Sequence, residues 1–340
     1  MAIFVQEFVS LKPYNTFGIN EQARWFTEVQ TIAELQEAIL WAKKAGVTPF
    51  FLGGGSNLLI TEPLHCLVVK LNLKGIAVEE NSTGVFLKIA AGENWHQTVL
   101  HSLDLGLGGL ENLSLIPGTV GAAPIQNIGA YGVELKQVLV SLEALELATL
   151  EVKTFTAEQC RFGYRESIFK KEAKGQYVIV SVVLKVNRNA PLHIGYGDVQ
   201  KTLADWGVDQ PTYNDVSRAV IQIRQSKLPD PNEIGNSGSF FKNPEVDKLH
   251  VEQLKQTFPD MPGYPVSEIT VKVPAGWLIE HAGWKGYREG DAGVHVRQAL
   301  VLVNYGQATG RQILQLSQRI QDSVQQKFGI QLQAEVNILP

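Results

Sequence analysis

Apolar residues that recur every three or four positions predict helices in several stretches of the chain. The clearest is residues 311–328, where the apolar side chains share one face and Gly329 follows as a stop signal. Another begins at Thr31 and Glu34, whose side chains can each bond to the other's backbone amide in a capping box, and it ends at Gly46. Further helices are predicted at residues 95–103, 216–225 and 275–281.

Short apolar runs bounded by turn residues predict strands between and after these helices. They lie at residues 26–29, 48–52, 58–60, 67–71, 85–90, 142–148, 151–156, 178–186, 299–304 and 333–339. The fold class is therefore α+β. A chain of 340 residues is too long for one comfortable core, and a polar break falls at residues 187–191. We predict two or three lobes, with the last at residues 191–340.

Composition and charge narrow the class of protein. Hydrophobic residues make up 44% of the chain and charged residues 19%, as in an ordinary globular protein, and the net charge of −4 does not favour nucleic-acid binding. No apolar run approaches the roughly 20 residues that span a bilayer, and the start of the chain does not resemble a signal peptide. We therefore expect a cytoplasmic protein with no nucleic-acid or membrane partner, and nothing demands more than a monomer.

Cysteine and histidine usage predicts neither disulfides nor a metal site. The two cysteines, Cys66 and Cys160, stand in unrelated contexts, which favours a reducing compartment. The seven histidines, His96 and His295 among them, show no metal-ligand spacing. We interpret all of them as ordinary residues without a special role.

The segment Gly53-Gly54-Gly55-Ser56-Asn57 is the first candidate for chemistry. It follows a predicted strand and precedes another, whereas a dinucleotide fingerprint or a P-loop would open a helix. Three glycines let the backbone approach a ligand closely, and successive amides in such a turn can bind an anion. A tight connection between two strands remains the alternative.

A second glycine-rich segment, residues 111–132, carries no charge after Glu111. Its small residues suit a loop that wraps a flat ligand and bonds to it through backbone groups. Loops of this length without regular structure are usually functional or disordered, and this one is too apolar for disorder. A buried structural loop is the alternative interpretation.

Taken together, these segments resemble the UDP-N-acetylenolpyruvoylglucosamine reductase family, type I branch, within the vanillyl-alcohol-oxidase-like FAD-binding superfamily. The resemblance rests on residues 53–57 and on Ile116-Pro117-Gly118-Thr119-Val120-Gly121-Ala122-Ala123-Pro124, and it extends in order along nearly the whole chain. The other matching motifs are Asn15-Thr16-Phe17-Gly18, Phe162-Gly163-Tyr164-Arg165-Glu166-Ser167, Lys227-Leu228-Pro229-Asp230-Pro231, residues 235–244, residues 275–280 and Glu335.

The resemblance implies a two-lobed FAD-binding domain of the vanillyl-alcohol-oxidase type, in residues 1–66 and 67–190. A smaller α+β substrate-binding domain follows at residues 191–340, and its last strand returns to the active site. The resemblance also implies reduction of the enolpyruvyl ether of UDP-N-acetylglucosamine by NADPH through FAD, in bacterial peptidoglycan precursor synthesis. The polar spacing of residues 294–298 departs slightly from the family pattern, without touching the implied catalytic residues.

Three residues are implied to be catalytic. Arg165 would stabilise the charge that develops on the substrate carboxylate, since a guanidinium stays charged and donates two parallel bonds. Glu335 would be its acidic partner at that carboxylate, and Ser239 would donate the proton, with Ser237 as the rival serine. Taken singly, these residues have plainer interpretations, namely an ion pair of Arg165 with Glu166, a rim charge and a turn.

The resemblance also implies the residues that bind ligands. The cofactor residues are Gly53, Gly54, Gly55, Ser56, Asn57, Leu58, Ile116, Pro117, Gly118, Thr119, Gly121, Ala122, Asn127, Gly129 and Ile179. The substrate residues are Tyr164, Tyr196, Lys227, Asn243 and Lys272. The glycines on both sides of Tyr196 suit a mobile lid.

Two other functions remain open on the sequence. One is a different FAD-dependent oxidoreductase of the same superfamily, in which a His or Cys near the glycine-rich loops often binds FAD covalently. Residues 53–60 and 111–132 contain neither residue type, so we predict non-covalent FAD. The other is a non-catalytic protein that binds nucleotide sugars, which would not require Arg165, Ser239 and Glu335 together.

Overall fold

A computed structural model describes residues 3–340, and the chain forms two compact units in it. The first unit contains the described residues up to Val9, together with Ala23–Gly54 and His65–Gln225. The second contains Ser10–Gln22, Gly55–Leu64 and Ser226–Pro340. The boundary therefore falls inside the first glycine motif, between Gly54 and Gly55.

The described residues contain the following strands and helices in chain order. The strands are β1 (Gln6–Ser10), β2 (Gln22–Val29), β3 (Pro49–Leu52), β4 (Leu58–Ile60), β5 (Leu64–Leu71), β6 (Ile76–Asn81), β7 (Gly84–Ala90), β8 (Gly129–Ala130), β9 (Val133–Glu134), β10 (Leu139–Glu146), β11 (Val152–Thr156), β12 (Tyr177–Val186), β13 (Gly235–Ser239), β14 (Glu245–Asp247), β15 (Tyr264–Pro265), β16 (Thr270–Lys272), β17 (Arg288–Glu289), β18 (Ala292–Val294), β19 (Val301–Asn304) and β20 (Asn337–Leu339). The helices are α1 (Ile32–Ala45), α2 (Trp95–Asp104), α3 (Val199–Asp205), α4 (Tyr213–Lys227), α5 (Lys248–Thr257), α6 (Ala275–His281) and α7 (Gly310–Phe328).

Two sheets form the first unit. One has the order β1-β2-β5-β3, with β3 and β5 parallel. Helix α1 begins at the capping box of Thr31 and Glu34 and buries Leu35 and Ala42 in the same apolar cluster as Leu67 of β5. The other sheet is antiparallel with the order β11-β10-β12-β7-β6.

Helix α2 joins the core of the second sheet. Trp95 and Val99 of α2 are buried in one cluster with Leu87 of β7 and Val182 of β12. The Asn94 side chain accepts a bond from the amide of Gln97 and so caps the helix. This packing fixes the first turn of α2, and that turn holds the second glycine-rich segment.

The second unit is built around a sheet of order β13-β19-β18-β17 and helix α7. A capping box of Thr309 and Gln312 opens α7, and its predicted apolar face, with Ile313 and Ile320, is fully buried. Strand β20 pairs in parallel with β4, so the end of the chain lies beside the segment that follows the first glycine motif.

Several elements differ from the sequence predictions. The strand predicted at residues 333–339 is wrong in its first half, because β20 covers only Asn337–Leu339 and the residues before it pair with a different segment. The motif at Gly235–Ser239, where a turn was one interpretation, is strand β13. Strands β1 and β6 and helices α3 and α5 had no sequence prediction.

Among residues 3–340, no helix is long and apolar enough to cross a membrane. The same residues contain no cluster of His, Cys, Asp or Glu that could hold a metal ion.

Candidate active site

The two glycine-rich segments lie against each other in the first unit. A Cβ on Gly54 would stand 2.7 Å from the Cα of Gly118, and one on Gly53 would stand 2.6 Å from Oγ1 of Thr119. Real side chains do not approach so closely, so glycine is required for this contact. Residues 53–54 and 118–119 therefore form one continuous surface, backbone against backbone at Gly54 and backbone against the Thr119 hydroxyl at Gly53.

Helix α2 and the residues before it hold the second segment in place. The amide of Trp95 donates to the carbonyl of Gly118 at 3.1 Å, and the amide of Val120 donates to the carbonyl of Glu93 at 2.9 Å. A Cβ on Gly121 would stand 2.5 Å from the Cβ of Ala91, so this glycine permits the close packing. The segment is neither disordered nor a regular helix, because it consists of short 3₁₀ turns, Glu111–Leu113 and Val120–Gln126, anchored at each end.

Arg165 stands at the tip of a tight turn. Gly163 and Glu166 exchange backbone bonds of 3.0 and 3.3 Å, which leaves Tyr164 and Arg165 as the two central residues. Arg165 has a φ of 57°, a left-handed conformation that is uncommon for a residue with a side chain. Strain of this kind persists only where surrounding contacts impose it, and it clusters at functional sites.

Those surrounding contacts come from the second glycine-rich segment. Arg165 donates from Nη2 to the carbonyl of Gly129 at 3.0 Å, and Asn127 donates from Nδ2 to the carbonyl of Gly163 at 3.0 Å. Ser167 donates to the carbonyl of Ile125 at 2.6 Å. The turn that carries Arg165 is thus fastened to the loop implied to hold the cofactor.

The loop of Tyr196 lies on the same segment. A Cβ on Gly132 would stand 3.1 Å from the Cβ of Tyr196, and a Cβ on Gly197 would stand 3.7 Å from the ring of Tyr131. Tyr196 is 63% exposed, and Gly197 has a φ of 64°. An exposed aromatic residue on a glycine-flanked turn is consistent with a lid.

Two cations in the first unit were missed by the sequence reasoning. Lys70 of β5 donates from Nζ to the carbonyl of Gly53, and burial lowers its pKa below the ordinary lysine value. Arg224 of α4 is close to Arg165 and Tyr131. Burial lowers its pKa first of all, the charge of Arg165 lowers it further, and Tyr131 counteracts both. Its Nε is buried and has no hydrogen-bond partner among the described residues.

In the second unit, Gly55 has a φ of 65° and packs on the backbone of Tyr14, where a Cβ would stand 1.9 Å from the carbonyl oxygen. The amide of Thr16 donates to the carbonyl of Gly55 at 3.1 Å, and the amide of Asn236 donates to the carbonyl of Thr16 at 3.0 Å. The Asn15-Thr16-Phe17-Gly18 motif therefore connects the first glycine motif to the strand that carries Ser239.

Ser239 ends strand β13 directly after a break in its register with β19. The break coincides with Gly238, which has a φ of 69°, and the amide of Gly238 donates to Oδ1 of Asn236 at 2.9 Å. Bulges of this kind turn a side chain away from the regular alternation of a strand. The rival serine, Ser237, is 8% exposed and donates from Oγ to the carbonyl of Leu58 at 3.2 Å.

Glu335 lies on the segment that runs beside Ser239. Its amide donates to the carbonyl of Phe240 at 2.8 Å, and the amide of Lys242 donates to the carbonyl of Gln333 at 2.9 Å. These bonds are the physical reason that the predicted strand splits, since residues 333–335 pair here and Asn337–Leu339 pair with β4. The Asn57 side chain donates to the carbonyl of Glu335 at 3.4 Å.

Two implied cofactor residues are deeply buried. Asn127 is fully buried, and its side chain bonds to the carbonyl of Gly163, to Glu134 and to the amide of Lys136. Ile179 is 5% exposed and belongs to the core of the antiparallel sheet. Both residues are enclosed by protein groups, and their contact with the cofactor stays a prediction.

The implied substrate residues of the second unit are spread over three elements. Lys227 is exposed at the end of α4. Asn243 accepts a bond from the amide of Ala275, at the start of α6, at 2.9 Å. Lys272 of β16 lies 3.6 Å from the carboxylate of Glu245.

The sequence contains signals for the cations that were missed. Lys70 is the charged residue in an otherwise apolar strand, residues 67–71, and a lysine in that setting needs a partner or a ligand. Arg224 lies three positions before Lys227 on an amphipathic helix, which places both near the same side of it.

Two family models match separate ranges of this chain. A family model described as "FAD binding domain" matches residues 23–155, and a model of the C-terminal domain of UDP-N-acetylenolpyruvoylglucosamine reductase matches residues 230–339. The UDP-N-acetylenolpyruvoylglucosamine reductase of Flavobacterium johnsoniae is 53% identical over 98% of this chain and 99% of its own length. That of Pseudomonas aeruginosa is 49% identical over 99% of this chain and 100% of its own.

A solved structure is similar over the same extent. The crystal structure of the UDP-N-acetylenolpyruvylglucosamine reductase from Thermus caldophilus has a TM-score of 0.70 and 25% identity, and the match covers 99% of this chain and 100% of that one. The predicted α+β class, with an FAD-binding domain followed by a family-specific domain, is confirmed.

Proposed function

Because the chain belongs to the UDP-N-acetylenolpyruvoylglucosamine reductase family, we propose that it reduces the enolpyruvyl ether of UDP-N-acetylglucosamine to UDP-N-acetylmuramate, with FAD as cofactor and NADPH as reductant. The observation that carries this proposal is the bond between Glu335 and Phe240, which places an acidic residue beside Ser239. The product is a peptidoglycan precursor, which connects the protein to cell-wall formation, cell shape and cell division.

The glycine surface fits FAD. Gly54 and Gly118 meet backbone to backbone, and Gly53 faces the small Thr119 hydroxyl, which lets a diphosphate approach backbone amides. Lys70 adds a positive charge at the carbonyl of Gly53. Residues 112–132 contain no charged group that would repel the cofactor, and the acidic residue Glu111 lies just before them.

The charge of this surface also suits a diphosphate. Residues 112–132 carry no charged side chain, and Glu111, just before them, accepts a bond from the amide of Gly109 at 2.6 Å. No carboxylate of this segment therefore faces the proposed position of the phosphates. Since residues 53–60 and 111–132 contain neither His nor Cys, we propose that FAD is bound non-covalently.

The reaction adds a hydride to the terminal carbon of the enolpyruvyl group and a proton to the carbon that bears the carboxylate. FAD, when bound, supplies the hydride after reduction by NADPH. As the hydride arrives, negative charge moves onto the substrate carboxylate. We propose that Arg165 stabilises this charge, because its strained turn aims a permanently charged group that donates two parallel bonds.

Ser239 is proposed to deliver the proton from Oγ to the carbon beside the carboxylate. A serine hydroxyl is a weak acid, so it acts only when it is positioned closely and its proton is replaced from a neighbour or a water chain. The bulge at Gly238 supports the positioning, and Glu335 on the neighbouring segment is proposed as the acidic partner at the substrate carboxylate.

Five further residues are proposed to bind the nucleotide sugar. Tyr164 would lie beside the reacting group, because it shares the turn of Arg165, and Tyr196 would close over the diphosphate from its glycine-flanked loop. Lys227, Asn243 and Lys272 are proposed to bind the nucleotide end, where cations and an amide can meet the diphosphate and the base.

We propose that the division into residues 1–66, 67–190 and 191–340 describes two FAD-binding parts and a substrate-binding part. One chain carries both glycine segments and all three catalytic residues, which supports action as a monomer. A cytoplasmic location is proposed because NADPH and nucleotide sugars are cytoplasmic metabolites. A molar mass in solution well above the 37.5 kDa of one chain would contradict the monomer.

An absorption spectrum of the purified protein tests the proposed site. The protein should be yellow, its flavin should pass into the supernatant on denaturation, and the enolpyruvyl nucleotide sugar alone should shift the flavin bands, because the substrate binds against the ring. Colour that remains on the denatured protein would contradict non-covalent FAD. Bands that do not respond to the nucleotide sugar would contradict the proposed substrate site.

A further inference from the structure

His96 makes an unusual contact with the second glycine-rich segment. It lies in the first turn of α2, and its Nδ1 accepts a bond from the amide of Leu115 at 3.0 Å. Leu115 has a φ of 58°, a left-handed conformation that is strained for a residue with a side chain. Such a residue keeps this conformation only while its surroundings hold it. The hydrogen bond to His96 is donated by the amide of the strained residue itself.

Leu115 directly precedes the proposed cofactor residues Ile116, Pro117 and Gly118. The other contacts between this part of the segment and the start of α2 use groups that do not titrate. The indole of Trp95 donates to the carbonyl of Leu113 at 3.0 Å, and the amide of Trp95 donates to the carbonyl of Gly118 at 3.1 Å. Among these contacts, the bond of His96 alone depends on a protonation state.

A ring nitrogen that accepts a bond cannot carry a proton, so His96 is neutral with its hydrogen on Nε2. Burial lowers the pKa of His96 below the ordinary value of 6.5, and the charge of Arg224 on α4 lowers it further. The other charged or titratable groups nearby are Glu111, on the turn packed against α2 and bonded to a backbone amide, and His101 and Asp104 farther along α2.

We propose that His96 is a positioning residue of the cofactor site, which in its neutral form holds Leu115 and the following loop in the conformation that binds FAD, and whose protonation releases the loop. This inference rests on the proposed assignment of residues 116–118 to FAD. His96 does not touch the cofactor in this account and acts through Leu115.

The sign of the pH dependence follows from the two states of the loop. Well above pH 6.5, the ordinary value, His96 is neutral whether the loop is held or released, so FAD affinity does not change with pH. Below that value the released state takes up a proton and the held state resists it. FAD affinity therefore falls, by at most about tenfold per pH unit for one proton, and levels off once the held state is protonated too.

Two substitutions separate the effect of losing the hydrogen-bond acceptor of His96 from the effect of protonating its ring. His96→Asn keeps an acceptor oxygen near the position of Nδ1 and cannot titrate, whereas His96→Leu removes the acceptor and keeps an apolar side chain of moderate size. FAD binding, measured from the dissociation of diluted holoenzyme by the recovery of free flavin fluorescence, should weaken with acid in the unchanged protein from about pH 7 to about pH 5. We expect His96→Asn to bind as the unchanged protein does at high pH and to show no acid weakening. We expect His96→Leu to bind about fivefold more weakly at every pH, the loss of one hydrogen bond.

Nitrogen NMR of the histidine rings gives a readout that is independent of FAD affinity. The His96 signals, assigned by their loss in His96→Asn, should show an unprotonated Nδ1 and a protonated Nε2 at neutral pH. The opposite tautomer, or a positively charged ring at neutral pH, would overturn the inference. So would an acid weakening of FAD binding that persists in His96→Asn, or its absence in the unchanged protein.

The Gly118→Ala variant distinguishes a failure of the inference about His96 from a failure of the proposed function. Gly118 has a φ of 111° and touches Gly54, so a side chain there should weaken FAD binding in any account that places the cofactor at these segments. Unchanged FAD binding in a folded Gly118→Ala protein would contradict the assignment of these segments to FAD. Weakened binding in Gly118→Ala, with both His96 variants equal to the unchanged protein, would overturn only the role of His96.

Discussion

Ser239→Ala is expected to leave the reduction of bound flavin by NADPH intact and to lower the rate of substrate reduction by about 10²–10⁴-fold, the usual contribution of a positioned proton donor. The reason is that flavin reduction needs no proton from Ser239, whereas the product forms only when a proton reaches the carbon beside the carboxylate. Rapid-mixing absorbance separates the two steps, because the flavin bleaches in the first and regains its colour in the second.

Ser237→Ala is the matched control on the same strand. The Ser237 hydroxyl already donates to the carbonyl of Leu58 and is 8% exposed, so its removal should reduce stability by about 1 kcal/mol and leave both steps near their original rates. If Ser239→Ala keeps full turnover, or if Ser237→Ala loses it while still folded, the assignment of the proton donor is wrong.

Arg165→Met is expected to lower the rate of substrate reduction by about 10²–10³-fold, the usual effect of removing a preorganised group that stabilises charge. The methionine keeps an apolar stem of similar reach and removes the guanidinium. NADPH should still bleach the flavin at the original rate, since Arg165 acts on the charge of the substrate. The same two-step absorbance measurement, with KM and kcat taken separately, checks this.

Arg161→Met provides the comparison for Arg165. Arg161 also has a positive φ, of 44°, but its side chain is largely exposed and forms a surface ion pair with Glu172 at 3.4 Å. Surface pairs of this kind contribute about 0–1 kcal/mol, so turnover should hardly change. Equal losses in both variants would mean that Arg165 has no special part in the reaction.

The regular elements were largely predictable because their signals are local. The capping box of α1 and the apolar face of α7 can be recognised within a few residues, and α1 and α7 form where the pattern predicts. Strands β1 and β6 were not predicted, because their residues are mostly exposed and show little apolar alternation. Strand β13 contains small residues typical of a turn, and only its pairing with β19 makes it a strand.

Motifs suggested residues for the site and little of its geometry, and the residue roles stay predictions. The positions of Arg165, Ser239 and Glu335 followed from motifs, but the sequence carries no signal that Glu335 pairs beside Phe240, because that bond joins distant parts of the chain. His96 was interpreted as ordinary for the same reason. Its partner, Leu115, gives no sign in the sequence of its left-handed backbone.

An anaerobic titration tests the central claim, that the enolpyruvyl nucleotide sugar accepts the electrons of this flavoprotein. NADPH is added until the flavin is bleached, and the enolpyruvyl ether of UDP-N-acetylglucosamine is then added without air. The account predicts that the yellow colour returns in proportion to the substrate added and that UDP-N-acetylmuramate forms in equal amount. Flavin that stays bleached, or that recovers its colour equally with UDP-N-acetylglucosamine, would contradict it.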